Sequence, residues 1–144
     1  VGRPNEMGLL AAKLIFSGLM ERLPNLKLLL GRLGGSITLY AGRIQQGWEM
    51  RHKRKDGPAW GADNLSESFM DSLQKIHVDT QTYHPPAIKC AVETLGVERV
   101  LYGTDYPPVP RSRALSIEDV RNTLLPSDQL QLILGDNAAR LFNI

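Results

Sequence analysis

Apolar and polar residues follow two distinct patterns along the 144-residue chain. Apolar positions spaced by three and four residues predict helices, which cover residues 5–22, 37–52, 65–75 and 85–96. Short continuous apolar runs are typical of buried strands, and they cover residues 26–30, 76–79 and 99–102. Ser116 and Ser127 are expected to cap two further helices, the first of which reaches Leu125, and Asp136 is expected to start a last helix through Phe142.

Polar residues at the predicted helix starts favour capping. Asn5 is suited to cap the first helix, and either Asn64 or Ser66 the third, because their side chains accept hydrogen bonds from the first free backbone N–H groups. Two segments are expected to form loops, the basic stretch 51–58 and the proline-rich stretch 106–115.

Short apolar strands separated by helices indicate an α/β protein with a parallel sheet covered by helices. Either a doubly wound sheet or a (β/α) barrel satisfies this order. A complete eight-stranded barrel takes about 250 residues, and three strands cannot close one. If the chain has barrel sequence, residues 1–144 form a single piece of that barrel.

Charge and composition exclude some classes of function. A formal net charge of +2 gives no argument for nucleic-acid binding, and no apolar run reaches the length of a membrane span. The single cysteine, Cys90, cannot form an internal disulfide and fits a reducing compartment, so a cytoplasmic location is expected.

Two residues that follow predicted strands are candidates for chemistry, because active sites of parallel α/β proteins lie at the carboxyl ends of the strands. Asp105 in "RVLYGTDYPP" could bind a metal, accept a proton, or cap the next turn. Arg32 in "GRLGG" could bind a carboxylate substrate through its forked guanidinium, or form an ion pair with Asp79 or Asp105.

Arg43 and His84 are further candidates with structural alternatives. Arg43 lies near the start of the second predicted helix, where it is either solvated or directed back over the site. His84 follows the second strand and could be a ligand, a proton carrier or a structural residue. No two of the three histidines stand in an H-x-H or H-E-x-x-H relation, so the chain has no self-sufficient zinc motif.

Three stretches together resemble the carboxyl-terminal half of one enzyme family. They are "SGLMERLPNLKLLLGRLGG", "GVERVLYGTDYPP" and "ILGDNAARLFNI". The family is that of the metal-dependent amidohydrolases, which includes aminocarboxymuconate-semialdehyde decarboxylase and the resorcylate and dihydroxybenzoate decarboxylases. The resemblance implies a partial (β/α)₈ barrel in which this chain supplies strands six to eight.

The resemblance also implies roles for individual residues. The family holds a divalent metal, usually zinc, at the carboxyl ends of its strands, and Asp105 matches the metal-binding aspartate of the last strand. Such a metal activates water or polarises a substrate oxygen. Arg43 lies where relatives hold a substrate carboxylate, so a small carboxylated molecule is the expected partner.

The chain departs from the family pattern in two respects. Arg32 stands where relatives carry a histidine that transfers protons, and a guanidinium stays protonated, so it cannot do this. The family's H-x-H or E-x-H pair and its strand-five histidine are absent from the chain. One aspartate is not a zinc site, so metal binding is expected only in a complete barrel.

Two hypotheses from different classes follow. In the first, the chain is a fragment of a metal-dependent enzyme that acts on a small aromatic or unsaturated acid by decarboxylation or hydrolysis, and it is inactive alone. In the second, it is a non-catalytic packing or oligomerisation module. Unpaired strand edges would favour self-association or association with a missing amino-terminal half. The sequence does not distinguish the substrate or the reaction branch.

Overall fold

A parallel sheet lies at the centre of the computed structural model, which describes residues 2–53, 65–109 and 112–144. Its three strands are β1 (Leu29–Leu30), β2 (His77–Asp79) and β3 (Val100–Leu101), in the order β1–β2–β3. Leu30 of β1 pairs with Val78 of β2, and Val78 pairs in turn with Val100 of β3 on its other side. Each strand lies within its predicted apolar run but is shorter, and the parallel arrangement is confirmed.

Helices connect and cover the strands. Their bounds are α1 (Gly2–Phe16), α2 (Leu19–Arg22), α3 (Ile37–Lys53), α4 (Phe69–Leu73), α5 (Pro85–Leu95), α6 (Arg113–Arg121), α7 (Ser127–Gln131) and α8 (Asn137–Phe142). Two 3₁₀ turns (Arg32–Gly34 and Val97–Arg99) follow β1 and precede β3, and a π turn (Leu132–Asp136) joins α7 to α8. In the described ranges, no helix combines the length and apolar character needed to cross a membrane.

The first predicted helix is in fact two helices. Gly18 adopts a left-handed conformation (φ 72°) between α1 and α2, which breaks the helix. Because α1 begins at Gly2, Asn5 lies inside the helix and is not its cap. Periodicity alone could not indicate this break, because the apolar spacing continues on both sides of Gly18.

The third predicted helix is shorter than 65–75, and a different serine caps it. Only α4 is helical, and Ser68 forms a capping box with Asp71. The Ser68 hydroxyl accepts from the Asp71 N–H at 3.1 Å, and the Asp71 carboxylate accepts from the Ser68 N–H at 3.3 Å. Ser66 is therefore not the cap, and Asn64 lies outside the described residues.

Two predicted loops also differ from the structure. Residues 51–53 of the basic stretch belong to α3, while residues 54–58 lie outside the described residues. At the second loop, Ser112 caps α6 by accepting from the Leu115 N–H at 3.2 Å. Ser116 is thus a buried residue inside α6, and its hydroxyl donates to the Ser112 carbonyl at 3.2 Å.

The core lies between the sheet and the helices that cover it. Its largest fully buried side chains are apolar, and each contributes about 1.5–3 kcal/mol relative to an exposed position. They are Phe69, Ile15, Met20, Leu73, Ile76, Ile88, Ile133, Val78, Val100 and Val120. The Phe69 ring stacks on Phe16 with centroids 5.7 Å apart, which joins α4 to α1.

Strand β2 presents different chemistry on its two faces. A Cβ at Gly34 would lie 3.0 Å from Val78 Cγ1 and 3.3 Å from Ile37 Cγ2, so Val78 packs toward α3. Side chains alternate along a strand, so His77 and Asp79 point to the opposite face. Asp79 lies at the carboxyl end of this face and His77 at the amino end.

The last helices are fastened to the strand at the sheet edge. The Tyr102 N–H donates to the Ile133 carbonyl at 2.9 Å. The buried Asn137 amide donates to the carbonyls of Val97 and Val100, each at 2.8 Å. These bonds fix the segment from Leu132 onward against β3 and the turn before it.

Candidate functional site

The loop after β1 holds Arg32 in a tightly turned backbone. Arg32 and Leu33 both adopt left-handed conformations, with φ of 55° and 57°. Gly35 follows at φ 69°, and a Cβ there would lie 1.8 Å from the Pro4 carbonyl oxygen. Only glycine fits this contact, which packs the start of α1 against the loop and fixes where Arg32 emerges.

Asp79 connects this loop to the end of β2. Its Oδ1 atom accepts from the Leu33 N–H at 3.2 Å and from the Gln81 N–H at 3.0 Å. Glycines leave room for the carboxylate on both sides. A Cβ at Gly103 would lie 3.0 Å from the Asp79 Cβ, and one at Gly31 would lie 3.5 Å from Asp79 Oδ2. Asp79 therefore occupies a slot between the ends of the neighbouring strands.

The environment of Asp79 favours its protonated form. The residue is 7% exposed, and this burial raises the pKa of its carboxyl group above the ordinary value. The backbone N–H donors oppose the rise, and the negative charge of Asp105 adds to it. Asp79 and Asp105 therefore lie close enough at the end of the sheet for the charge of one to affect the other.

Hydrogen bonds from the β2 side also position the loop that carries Asp105. The Thr80 hydroxyl accepts from the Gly103 N–H at 3.1 Å and contacts the Gly103 carbonyl at 3.3 Å. The Tyr83 hydroxyl donates to the Thr104 carbonyl at 3.0 Å. Asp105 follows directly, in a left-handed conformation with φ 55°.

A cavity of about 430 Å³ lies at this carboxyl end and joins two of the predicted site residues. Arg32 and Asp105 both line it, together with Pro4, Leu33, Gly35, Thr38, Leu39, Gln81, Thr82 and Ala87. Among the described residues, Arg32 forms no ion pair with Asp79 or with Asp105. The cavity wall thus holds a cation and a carboxylate that are not paired with each other.

Arg43 and His84 do not line this cavity. Arg43 is exposed on α3, and its Nη1 donates to Gln46 Oε1 one turn along the same helix at 3.4 Å. His84 is exposed at the start of α5, and its backbone carbonyl accepts from the Ala87 N–H at 3.0 Å. Their substrate-binding roles remain predictions.

Asp79 belongs to the site although sequence reasoning treated it only as a possible ion-pair partner. The criterion that selected Asp105, a carboxylate at the carboxyl end of a predicted strand, applies equally to Asp79. The apolar run that Asp79 ends is followed by no glycine, unlike the other two runs, so no turn signal marks this carboxylate in the sequence.

The described residues do not supply a complete metal site. No group of three or more His, Cys, Asp or Glu side chains within them is arranged to hold a metal ion. Asp79 Oδ1 is engaged by backbone donors, whereas the Asp105 carboxylate makes no hydrogen bond within the described ranges. Among the described residues the Asp105 carboxylate is thus open to a ligand, but one carboxylate is not a metal site by itself.

A parallel α/β sheet with polar residues at the carboxyl ends of its strands is the arrangement of α/β enzymes, in barrels and in doubly wound sheets alike. A family model described as amidohydrolase matches residues 1–144, so the chain belongs to the amidohydrolase family. This confirms the resemblance found in the sequence.

Curated relatives match over much of this chain but only part of their own. A 2-amino-3-carboxymuconate-6-semialdehyde decarboxylase of Dictyostelium discoideum is 31% identical over an alignment of 149 positions, which covers 100% of this chain and 38% of the relative. A decarboxylase of Emericella nidulans is 27% identical, covering 96% of this chain and 41% of the relative. The chain thus spans well under half the length of these relatives.

Solved structures agree with the fold. The 5-carboxyvanillate decarboxylase of Sphingomonas paucimobilis superposes with a TM-score of 0.79 at 28% identity, covering 93% of this chain and 38% of that one. A 5-carboxyvanillate decarboxylase of Novosphingobium aromaticivorans, complexed with manganese and a nitrobenzoic acid, has a TM-score of 0.84 at 20% identity, covering 100% and 40%. The neighbours are TIM-barrel proteins, consistent with a partial barrel here.

Proposed function

We propose that the chain forms strands six to eight of an amidohydrolase-type barrel and contributes to a decarboxylase site for a small carboxylated aromatic or unsaturated acid. The observation that carries this proposal is that Arg32 and Asp105 line one cavity at the carboxyl ends of a parallel sheet. The names of the curated relatives support decarboxylation over hydrolysis.

Asp105 is the proposed metal ligand. The metal would be divalent; zinc is the ion that the resemblance implies, and manganese is the ion bound by a neighbour of the same fold. When bound, it would act as a Lewis acid toward a substrate oxygen. Since the described residues provide an incomplete ligand set, their proposed contribution is one carboxylate and the polar wall around it.

Arg32 is the proposed anion-binding residue of the cavity. Its guanidinium stays charged and can donate two parallel hydrogen bonds to a carboxylate. Its left-handed backbone is held on one side by Gly35 and on the other by the bond from Leu33 to Asp79. These contacts fix the backbone from which the side chain emerges, and because a guanidinium stays protonated its role is substrate orientation rather than proton transfer.

Arg43 and His84 are proposed as secondary substrate contacts. Both are exposed at positions beside the cavity, since Thr38 and Leu39 of α3 and Ala87 of α5 line it. A substrate that extends beyond the cavity would have to reach these two helices to contact them. The proposal also includes a cytoplasmic location for the protein.

The test measures binding to the purified chain. We expect 2,6-dihydroxybenzoate and 5-carboxyvanillate to bind, and Arg32→Gln to weaken their affinity about tenfold or more, because a charged hydrogen bond contributes about 1.5–3 kcal/mol. Arg121→Gln removes the same charge from an exposed position on α6 and should leave the affinity unchanged. Equal affinities of the Arg32→Gln variant and the unchanged chain would refute the assignment.

Metal content is measured separately, by elemental analysis after dialysis against Zn²⁺ or Mn²⁺. Substoichiometric binding that falls further in Asp105→Asn is the expected result. Stoichiometric zinc in the unchanged chain would contradict the inference of an incomplete ligand set. A chain that binds neither metal nor carboxylate and forms a stable oligomer would instead favour the packing-module hypothesis.

A further inference from the structure

A second cavity, of about 590 Å³, lies at the opposite end of the sheet. Its walls come from the segments that precede the three strands and from the last helix. The lining residues are Pro24, Asn25, Leu26, Lys27, Lys75, His77, Glu98, Arg99, Asn137, Arg140 and Leu141. None of them lines the Arg32 and Asp105 cavity, so the two sites are separate.

Positive charge dominates this cavity. Glu98 is the sole acidic residue among the described residues that line it, against the cations Lys27, Lys75, Arg99 and Arg140. Lys75 is paired with Glu67 at 2.5 Å, so three cations remain for one carboxylate. Cations at this density attract an anion, because their mutual repulsion falls when a negative charge lies between them.

The cations keep donors available for a ligand. Lys27 Nζ donates to the Leu141 carbonyl at 2.9 Å, where it satisfies the end of α8. That acceptor is neutral, and an ammonium group has two further N–H donors. Arg140 lies exposed in the last turn of the same helix and forms no ion pair within the described ranges. Neither charge is neutralised by its surroundings.

The contact between Arg99 and His77 assigns the histidine tautomer. Arg99 Nη1 lies 3.2 Å from His77 Nε2. A guanidinium can only donate, so Nε2 accepts and the ring proton resides on Nδ1. Burial lowers the pKa of His77, as do the charges of Arg99 and Lys27, which agrees with a neutral ring.

Two buried polar atoms of the lining residues lack hydrogen-bond partners in the described part of the chain. His77, 9% exposed, has an Nδ1–H group without an acceptor, and Asn137, 3% exposed, has an Oδ1 without a donor. Unsatisfied buried polar groups are rare in folded proteins and call for an explanation such as a bound group. A ligand that offers both an oxyanion and a hydroxyl would complement this pair.

We propose that this cavity binds a phosphate group, free or on a small metabolite, through Lys27, Arg99 and Arg140. A volume of about 590 Å³ is in the range of small-molecule sites. The guanidinium group of arginine donates paired hydrogen bonds to two oxygens of a tetrahedral oxyanion. Near neutral pH inorganic phosphate also carries an O–H group, which a carboxylate lacks, so it fits the Asn137 acceptor as well as the cations, whereas a phosphate ester would offer a hydroxyl of its own organic part.

The experiment titrates inorganic phosphate into the purified 144-residue chain at constant ionic strength, with chloride as the balancing anion. Amide NMR shifts near His77 and Asn137 and the thermal midpoint are recorded. We expect saturable shifts confined to this end of the sheet and a midpoint that rises with phosphate, as ligand linkage requires. Acetate and succinate at equal ionic strength should bind at least tenfold more weakly.

Variants distinguish a specific phosphate-binding site from a general effect of positive charge. Lys27→Gln and Arg99→Gln should each weaken phosphate binding about tenfold, and Arg140→Gln does the same from an exposed position where folding is not at risk. Lys89→Gln removes a charge from an exposed site on α5 and should change nothing. Equal response to chloride, equal affinity for carboxylates, or unchanged affinity in the Arg140 and Lys27 variants would each overturn the proposal.

Discussion

Replacing Asp79 separates the position of its oxygen from the charge it carries. Two backbone N–H groups, those of Leu33 and Gln81, donate to the same atom of Asp79, Oδ1. Asp79→Asn keeps an oxygen at that place and removes the charge. Asp79→Ala removes both, leaving the two donors without their acceptor. The two variants should therefore differ widely in stability.

The magnitude follows from the burial of the donors. The Leu33 N–H is buried, and losing its acceptor costs about 1–3 kcal/mol; the Gln81 N–H is half-buried and loses less. We expect Asp79→Ala to lower the free energy of unfolding by about 2–4 kcal/mol at pH 7, and Asp79→Asn to change it by less than about 1 kcal/mol. Urea titrations followed by circular dichroism measure both.

The pH dependence gives an independent check. Because the pKa of Asp79 is raised in the folded chain above the ordinary 3.8, the folded state binds more protons than the unfolded state between the two values. Stability from this group is complete below pH 3.8 and is lost as pH rises through the folded pKa. The unfolding free energy of Asp79→Asn, relative to the unchanged chain, should therefore rise over that window. If Asp79→Asn is as unstable as Asp79→Ala, the negative charge itself is needed and the reasoning is wrong.

Three further predictions concern the fold that supports the site, and each is measured by urea unfolding. Gly35→Ala should lower the free energy of unfolding by about 3 kcal/mol or more, because its Cβ would meet the Pro4 carbonyl at 1.8 Å. As a control, Gly42→Ala on α3, where nothing lies within contact distance, should raise it by about 0.5–1 kcal/mol. Equal effects of the two variants would contradict the contact. Ser68→Ala removes one half of a capping box and should cost about 1 kcal/mol, and no loss would place the start of α4 elsewhere. Phe69→Ala should cost about 3–5 kcal/mol, since the ring is fully buried, and a loss under 1 kcal/mol would mean that the site collapses or is hydrated.

The sequence predicted the parallel sheet and two of the polar residues that line the cavity at its carboxyl end. The parallel direction of the strands followed from short apolar runs separated by helices, and it predicted Arg32 and Asp105 at one end of the sheet, where both line the cavity. The break at Gly18 was missed because helical spacing of apolar residues says nothing of backbone direction. In this segment the left-handed conformation of Gly18 separates α1 from α2.

The cavity at the other end of the sheet could not be predicted. Its cations lie far apart in sequence, at positions 27, 75, 99 and 140, and each resembles an ordinary solvated side chain when considered alone. Only the register of the strands brings the segments before them together. Local patterns identify single residues at strand ends, whereas a cluster of charges requires the tertiary structure.

The π turn between α7 and α8 has a consequence for insertions and deletions in this region. A π turn contains one residue more than an α-helical turn, and the widening frees a carbonyl from the regular ladder. Here the Ile133 carbonyl is the acceptor for the Tyr102 N–H. Deleting one residue from this turn would restore α-helical geometry and leave the Tyr102 N–H without its acceptor. Deletions and insertions in this turn should therefore destabilise the fold more than substitutions do.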